Sequence, residues 1–378
     1  METSEHKLLR ESVREFSNSE LEPIAANIDQ TDQFPQNVFQ KLGPLGLLGI
    51  TAAEKDGGAG AGVLSATIAM EELGRVSASF ALSYLAHTIL CVNGIATHGS
   101  SEQKKKYLPD LISGKKIGGM AMTEPGAGSD AVGMKTKAVK SGNHYILNGE
   151  KCFITNGSVA DIFVVYARTS EDRKKGISAF IVEKDFSGFS VGKKLDKMGM
   201  RGSPTSELIF ENCHVPIENR MKEEGQGLCA MMQTLDIERI TISGISLGLA
   251  QASLEKSLAY SQERTQFEKP IFSFQMIQKM LADMATELEA ARRLSYYAAE
   301  CADQGQKNLG FVASACKVFA AEMATKNALK AVQIFGGYGY TKEYPLERYV
   351  RDAKLMEIGA GTSEVMRIKI AKELKEKY

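Results

Sequence analysis

The chain has 378 residues, 43% of them apolar, and its 46 basic side chains balance its 46 acidic ones. That length exceeds what one hydrophobic core serves, so two or three packed units are expected, and the apolar share argues against disorder. A formal net charge of zero argues against a nucleic-acid binder that works by neutralising phosphates.

Residues 1–117 read as an α-helical domain. Leu8, Leu9, Val13 and Phe16 fall at helical spacing, and Phe39, Leu42, Leu45 and Leu48 form a second stripe interrupted by Gly and Pro. Gly57 to Gly62 is a breaker cluster, after which Ile68, Met70, Leu73 and the run Phe80 to Ile95 predict further, largely buried helices. The pattern changes near residue 118. Residues 136–149 alternate polar and apolar, with turn signals at Ser141-Gly142-Asn143 and Asn148-Gly149 that predict hairpins. Short β-branched or aromatic runs follow at 162–166, 177–182 and 208–210, giving a β domain over 118–225. Helical periodicity returns over 226–378, in segments near 226–262, 275–303, 309–335 and 361–376. The first three are long enough for an antiparallel bundle. No repeat or low-complexity linker separates the units, so tight packing is expected.

Cys91, Cys152, Cys213, Cys229, Cys301 and Cys316 are scattered with no C-x-x-C pair, and read as free thiols in a reducing compartment. None of the five histidines sits in a metal-ligand spacing, so no metal is expected. The acidic start Met-Glu-Thr-Ser-Glu is unlike a targeting segment. Ile240 to Leu254 is the most apolar stretch, yet it is broken by Ser and Gly and too short to span a bilayer. A cytoplasmic protein that neither crosses a membrane nor binds nucleic acid is expected. The run Lys104-Lys105-Lys106 reads as a solvated helix face, with an anion-binding patch as the alternative.

Four short motifs bear chemistry. In Thr-Glu-Pro-Gly-Ala-Gly-Ser-Asp at 123–130, Gly126 and Gly128 allow close approach of a ligand and Ser129 adds a hydroxyl. No strand, glycine turn and helix surround it in the order of a dinucleotide-binding fold. In Phe153-Ile154-Thr155 an aromatic and a hydroxyl share one strand face, which suits a flat ring with a polar edge; a core Phe is the plainer reading. Arg264, in Glu-Arg-Thr-Gln-Phe at 263–267, offers a forked cation for a pyrophosphate, and Gln275 follows. Gln333-Ile334-Phe335-Gly336-Gly337 ends a helix with exposed backbone.

Together, in this order and on an α–β–α layout, these motifs resemble those of the acyl-CoA dehydrogenase family over essentially the whole chain. Within it the chain is most similar to isovaleryl-CoA dehydrogenases, through 194–203 (KLDKMGMRGS), 351–355 (RDAKL) and 357–365 (EIGAGTSEV). The resemblance implies an α+β fold with an N-terminal helical domain, a middle β-barrel or sandwich and a C-terminal four-helix bundle. It also implies FAD, an acyl-CoA substrate, electron-transfer flavoprotein as acceptor, and a homotetramer. Carried over by residue, Met120, Met122, Thr123, Gly128, Ser129, Phe153 and Thr155 would hold the flavin. Arg264, Gln275, Gln333, Gly336 and Gly337 would reach the FAD of a neighbouring subunit, and Thr362 and Glu364 would complete the site. Substrate contacts would come from Ser129, Cys229, Asp236, Arg239, Ile242, Gly359, Ala360 and Gly361. Two departures stand out: Phe153 replaces a Trp common in the family, and Cys229 stands where isovaleryl-type members carry Tyr.

Most members also carry Tyr-Glu, the Glu being the catalytic base, where this chain has Gly359-Ala360. In isovaleryl- and long-chain-type members the base lies on another helix, which here reads Leu235-Asp236-Ile237-Glu238-Arg239 and nominates Glu238. Apolar Leu235, Ile237 and Ile242 would desolvate its carboxylate, while Asp236 and Arg239 face away and are expected to meet the CoA portion. A solvated Glu238-Arg239 pair is the plain alternative, and Glu357 and Glu364 are rival bases. The Ala360 N–H would polarise the thioester oxygen. The expected product is a trans-2-enoyl-CoA. Straight short-chain or alicyclic substrates, an acyl-CoA oxidase and a non-catalytic binding subunit are the alternatives.

Overall fold

The computed structural model describes residues 2–306 and 308–377. Seven helices open the chain: α1 (Ser4–Phe16), α2 (Ala25–Thr31), α3 (Gln36–Gln40), α4 (Gly62–Val76), α5 (Ala78–Leu85), α6 (Gly94–His98) and α7 (Ser101–Ile112). A capping box starts α7, with Gln103 N–H donating to Ser100 Oγ and Ser100 N–H to Gln103 Oε1. The stripe Phe39–Leu48 is not one helix. Gly43 packs so closely on the Ser113 carbonyl that a Cβ would lie 2.4 Å from its oxygen, and the chain turns there, leaving Leu45 exposed. Among the described residues the helical run Ala78–His98, not Ile240–Leu254, is the segment long and apolar enough to cross a bilayer; 83% of its apolar window is buried inside the fold.

The middle strands are β1 (Gly118–Ala121), β2 (Lys137–Ser141), β3 (His144–Thr155), β4 (Ile162–Arg168), β5 (Ile177–Glu183), β6 (Phe189–Lys194), β7 (Thr205–Pro216) and β8 (Arg220–Met221). They form one mixed sheet ordered β6-β7-β3-β2-β4-β5-β8, with β1 paired to β4 in parallel. A single pair, Lys137 with Arg168, joins its two four-stranded halves. Ring contacts between Tyr145 and Phe180 (5.0 Å) and between Phe163 and Phe189 (5.4 Å) bring those halves face to face. The turn at Gly142-Asn143 closes the β2–β3 hairpin as expected. Asn148-Gly149, read as a turn, is instead a bulge inside β3. Gly149 sits at φ +145° against Thr136, and the Asn148 side chain accepts from Asn212 N–H at 2.8 Å on the neighbouring strand.

The C-terminal helices are α8 (Gly227–Glu263), α9 (Gln275–Asp303), α10 (Gly310–Phe335), α11 (Leu346–Met356) and α12 (Ser363–Lys377), with a small hairpin, β9 (Thr265–Gln266) and β10 (Lys269–Pro270), after α8. The periodicity missed α11 because it spans only three turns. Helix α8 packs on α4, α9 and α10, so most of its first 27 residues are apolar or small on every side. Its Gly248 approaches the Glu71 carbonyl so closely that a Cβ would lie 2.3 Å from the oxygen, which fixes the α4–α8 crossing. The buried carboxylates of Glu71 and Glu72 on α4 receive Arg292 from α9 and Arg10 and Arg14 from α1. Asp352 on α11 accepts from Met200 N–H at 2.6 Å and docks the loop after β6.

Candidate active site

Glu238 lies in the fourth turn of α8 and is 6% exposed, with Leu235 and Ile242 buried on the same helix. Arg239 beside it is buried too, so the pair is not a solvated helix face. Among the described residues Glu238 Oε2 has no hydrogen-bond partner. Burial pushes the carboxyl up to about 7, against the opposing positive charges of Arg239 and Lys317. A carboxylate that exchanges its proton near neutrality, with a free oxygen, has the properties of a general base. The rivals differ. Glu357 pairs with Lys354 at 2.8 Å. Glu364 is exposed, and hydrogen bonds from its own backbone N–H and from the Thr362 hydroxyl hold it below the usual carboxylate range.

The loop after α11 comes to this carboxylate's neighbour. Ile358 and Gly359 N–H both donate to the Leu355 carbonyl, at 2.9 and 2.8 Å. Ala360 then takes φ +53° and Gly361 φ +97°. Arg239 Nε donates to the Ala360 carbonyl at 3.2 Å, and Lys317 Nζ from α10 donates to the Gly361 carbonyl at 2.6 Å. Thr362 Oγ1 accepts from Val365 N–H at 3.3 Å and caps α12. A left-handed alanine is strained by roughly 1 kcal/mol, and here two cations from two helices hold it. Among the described residues the Ala360 N–H has no acceptor. At Gly359 an added Cβ would make ordinary van der Waals contact with the Leu355 carbonyl oxygen at 3.6 Å, without a clash.

Three expected substrate contacts are placed differently. Arg239 and Asp236 are engaged within the chain: Arg239 bonds the loop and pairs with Asp236 Oδ1 at 2.7 Å, and Lys369 of α12 meets the same oxygen. Cys229 is exposed and nine residues before Glu238, roughly half a helical turn round α8 at ~100° per residue, so it lies on the opposite side from the carboxylate.

The middle domain presents a second constellation. Phe153 is 67% exposed and sits at φ +56° in a bulge of β3, so it is no core residue. Ile154 beside it is buried and Thr155 half-buried, which keeps Phe153 and Thr155 on one side. A bulky aromatic held outward in the left-handed region points to a ligand platform. Met120 is buried, Met122 and Thr123 half-buried, and Gly128 and Ser129 exposed; Cβ atoms added at Gly126 or Gly128 would meet open space. Sequence reasoning missed what holds this loop. Glu124 and Lys151 form a buried pair at 2.8 Å, Lys135 and Thr136 N–H donate to the same carboxylate, and Lys151 also donates to the Met122 carbonyl at 3.1 Å. The spacing hid them, because their partnership spans 27 residues.

The third constellation is a groove of about 470 Å³ between the end of α10 and the β9–β10 hairpin, lined by Arg264, Gly336 and Gly337 with Tyr260, Phe335 and Tyr338. The Arg264 guanidinium lies 5.8 Å from the Tyr338 ring centre. Gly336, at φ +61°, ends α10 as its motif predicted. Gln275 and Gln333 are exposed nearby in sequence and do not line the groove.

The chain matches the N-terminal, middle and C-terminal domain families of acyl-CoA dehydrogenase over residues 3–115, 119–213 and 225–375. It is 50% identical over 368 residues to the mitochondrial isovaleryl-CoA dehydrogenase of Arabidopsis thaliana, covering 97% of this chain and 90% of that protein. It is 48% identical over 370 residues to a short-chain-specific acyl-CoA dehydrogenase of Clostridium acetobutylicum, covering 98% and 97%. Its fold superposes on the butyryl-CoA dehydrogenase of Megasphaera elsdenii with a TM-score of 0.97 at 41% identity, over 99% of each chain.

Proposed function

Because the chain belongs to the acyl-CoA dehydrogenase family and is an FAD-dependent oxidoreductase, we propose that it introduces the α,β double bond into short or branched acyl-CoA thioesters of the isovaleryl type. The observation that carries this reading is Glu238, a buried carboxylate with a free oxygen, beside a loop that lacks the family's usual acidic residue.

The residues present fit FAD. An exposed aromatic in a strained backbone, glycines facing open space and a forked cation sharing a groove with a helix-ending glycine pair suit a flat ring and a pyrophosphate. Met120, Met122, Thr123, Gly128, Ser129, Phe153 and Thr155 would hold the ring, with Thr362 and Glu364 beside it. Arg264, Gln275, Gln333, Gly336 and Gly337 would serve the cofactor of a second copy, which makes a homotetramer part of the reading. The chemistry that bound FAD supplies is acceptance of the β-hydrogen as hydride.

Glu238 takes the α-proton. Its free Oε2 accepts the proton, and the apolar walls keep water from competing for that role. The unengaged Ala360 N–H donates to the thioester oxygen, where charge develops as the α C–H bond breaks. A donor of this kind typically contributes roughly 3 kcal/mol. A main-chain group supplies it, so the loop keeps this task without a carboxylate. The lack of a side chain at Gly359 suits a methyl branch near Cβ, and Ile242 would line the acyl chain. Electron-transfer flavoprotein is the acceptor in this reading, and the six free thiols suit a reducing, cytoplasmic setting. Anaerobic titration with isovaleryl-, butyryl- and longer acyl-CoAs tests it: bleaching of the flavin band by the first two supports it, and a strong preference for long linear chains overturns it.

A further inference from the structure

Lys317 on α10 is 1% exposed, and a lysine ammonium carries three donors. Among the described residues its one hydrogen bond goes to the Gly361 carbonyl, and no carboxylate lies within ion-pairing distance. A buried ammonium left this way is costly to stability. The charges that face it are Glu238 and Arg239 on α8, Glu357 after α11 and Glu322 on its own helix. Glu357 is taken up by Lys354, and Glu322 by Arg367. Arg239 is taken up by Asp236. Glu238 alone keeps an unpartnered oxygen. A cation with spare donors and a carboxylate with a spare oxygen therefore share one region without pairing.

Direct pairing would draw Glu238 down and remove it as a base near neutrality. Engagement with Gly361 holds the ammonium off the carboxylate while its field still reaches it. The same bond acts on the loop. The carbonyls of residues 360 and 361 belong to the two peptide planes that follow the Ala360 Cα, so clamping both holds those planes, and with Ala360 at φ +53° they define the turn in which the Ala360 N–H is left without a protein acceptor among the described residues.

We propose that Lys317 is a positioning residue for the reaction: with Arg239 it clamps two successive loop carbonyls, keeping the Ala360 N–H aimed at the thioester oxygen, and it supplies an unpaired positive charge to Glu238. The inference rests on Glu238 being the base. Burial pulls the Lys317 ammonium down to about 8, so its charge is present at neutral pH and lost in mild base. Flavin reduction then follows a bell, rising as Glu238 deprotonates and falling as Lys317 does.

The test compares wild type, Lys317→Met, Lys317→Gln, Lys317→Arg and Glu238→Gln by anaerobic rapid mixing across pH. It also measures the carbonyl stretch of a bound, non-oxidisable acyl-CoA carrying a ¹³C thioester carbonyl. Lys317→Met is expected to slow reduction by about 10–100-fold at saturating substrate, with substrate affinity within about threefold. Its acid limb moves to higher pH, its alkaline limb disappears, and the bound carbonyl stretch returns toward its value in water. Lys317→Arg restores most of the rate, and Lys317→Gln carries the same readouts if the Met variant does not fold. An unchanged pH profile and carbonyl stretch, with any defect confined to thermal stability, overturns the proposal. Glu238→Gln separates the two claims. Activity in that variant removes Glu238 as base, whereas an inactive Gln variant beside an unaffected Lys317→Met removes only Lys317.

Discussion

Arg239 Nε donates to the Ala360 carbonyl at 3.2 Å across 121 residues of sequence. The residue adjoining Glu238 thus holds the loop in which the family's other carboxylate would stand. In the proposed reading, base and oxygen-binding loop are set in register by one dipeptide of α8, so an acid on that helix stays tied to the loop that would bind the thioester.

Burial raises Glu238 to about 7, against roughly 4.3 in an unfolded chain. Between those values the folded protein holds a proton that the unfolded chain has released. Stability from this group is therefore greatest in acid and falls as pH rises through the window, by at most ~1.4 kcal/mol per pH unit. Glu238→Gln removes that slope. In denaturant titrations the stability of the Gln variant relative to wild type is expected to grow between about pH 5 and pH 7 and to level off above. Parallel curves would show that the carboxyl is not held protonated by its surroundings.

Phe153 combines a left-handed backbone with an exposed ring. Phe153→Gly relieves the strain, so the apoprotein is expected to gain up to ~1 kcal/mol, read as a rise in Tm. The same change is expected to weaken FAD retention on dilution. A loss of apoprotein stability would mean that the ring packs within the fold rather than serving a ligand.

Lys151→Met leaves Glu124 buried without its cation, an event that typically costs about 3–5 kcal/mol. A marked fall in Tm is expected, with partial recovery in Glu124→Gln/Lys151→Met, because the double variant buries no uncompensated charge. Equal losses in the single and double variants would show that the pair is not coupled.

Element types and the broad α–β–α order were legible because buried helices and strands carry period and composition. The exceptions have local causes. Asn148-Gly149 looked like a turn because that dipeptide favours positive φ, which a bulge uses equally well. The stripe from Phe39 to Leu48 kept helical spacing while the close packing at Gly43 broke the helix. The glycine-ended α10 was legible through its motif, and the burial of Glu238 through its apolar neighbours. Lys317 and the Glu124–Lys151 pair were not, since a buried lysine in an alanine-rich helix or on a polar strand looks like any surface lysine until its distant partner is placed.

The most direct measurement is anaerobic reduction of the FAD-loaded protein by isovaleryl-CoA in Glu238→Gln and in Glu238→Gln/Ala360→Glu. The single variant is expected to retain FAD and lose reduction by about a thousandfold or more, and the double variant to regain part of it, because in the proposed reading the loop faces the same α-carbon. Bleaching of Glu238→Gln at a rate near that of wild type would contradict the assignment of Glu238 as the base.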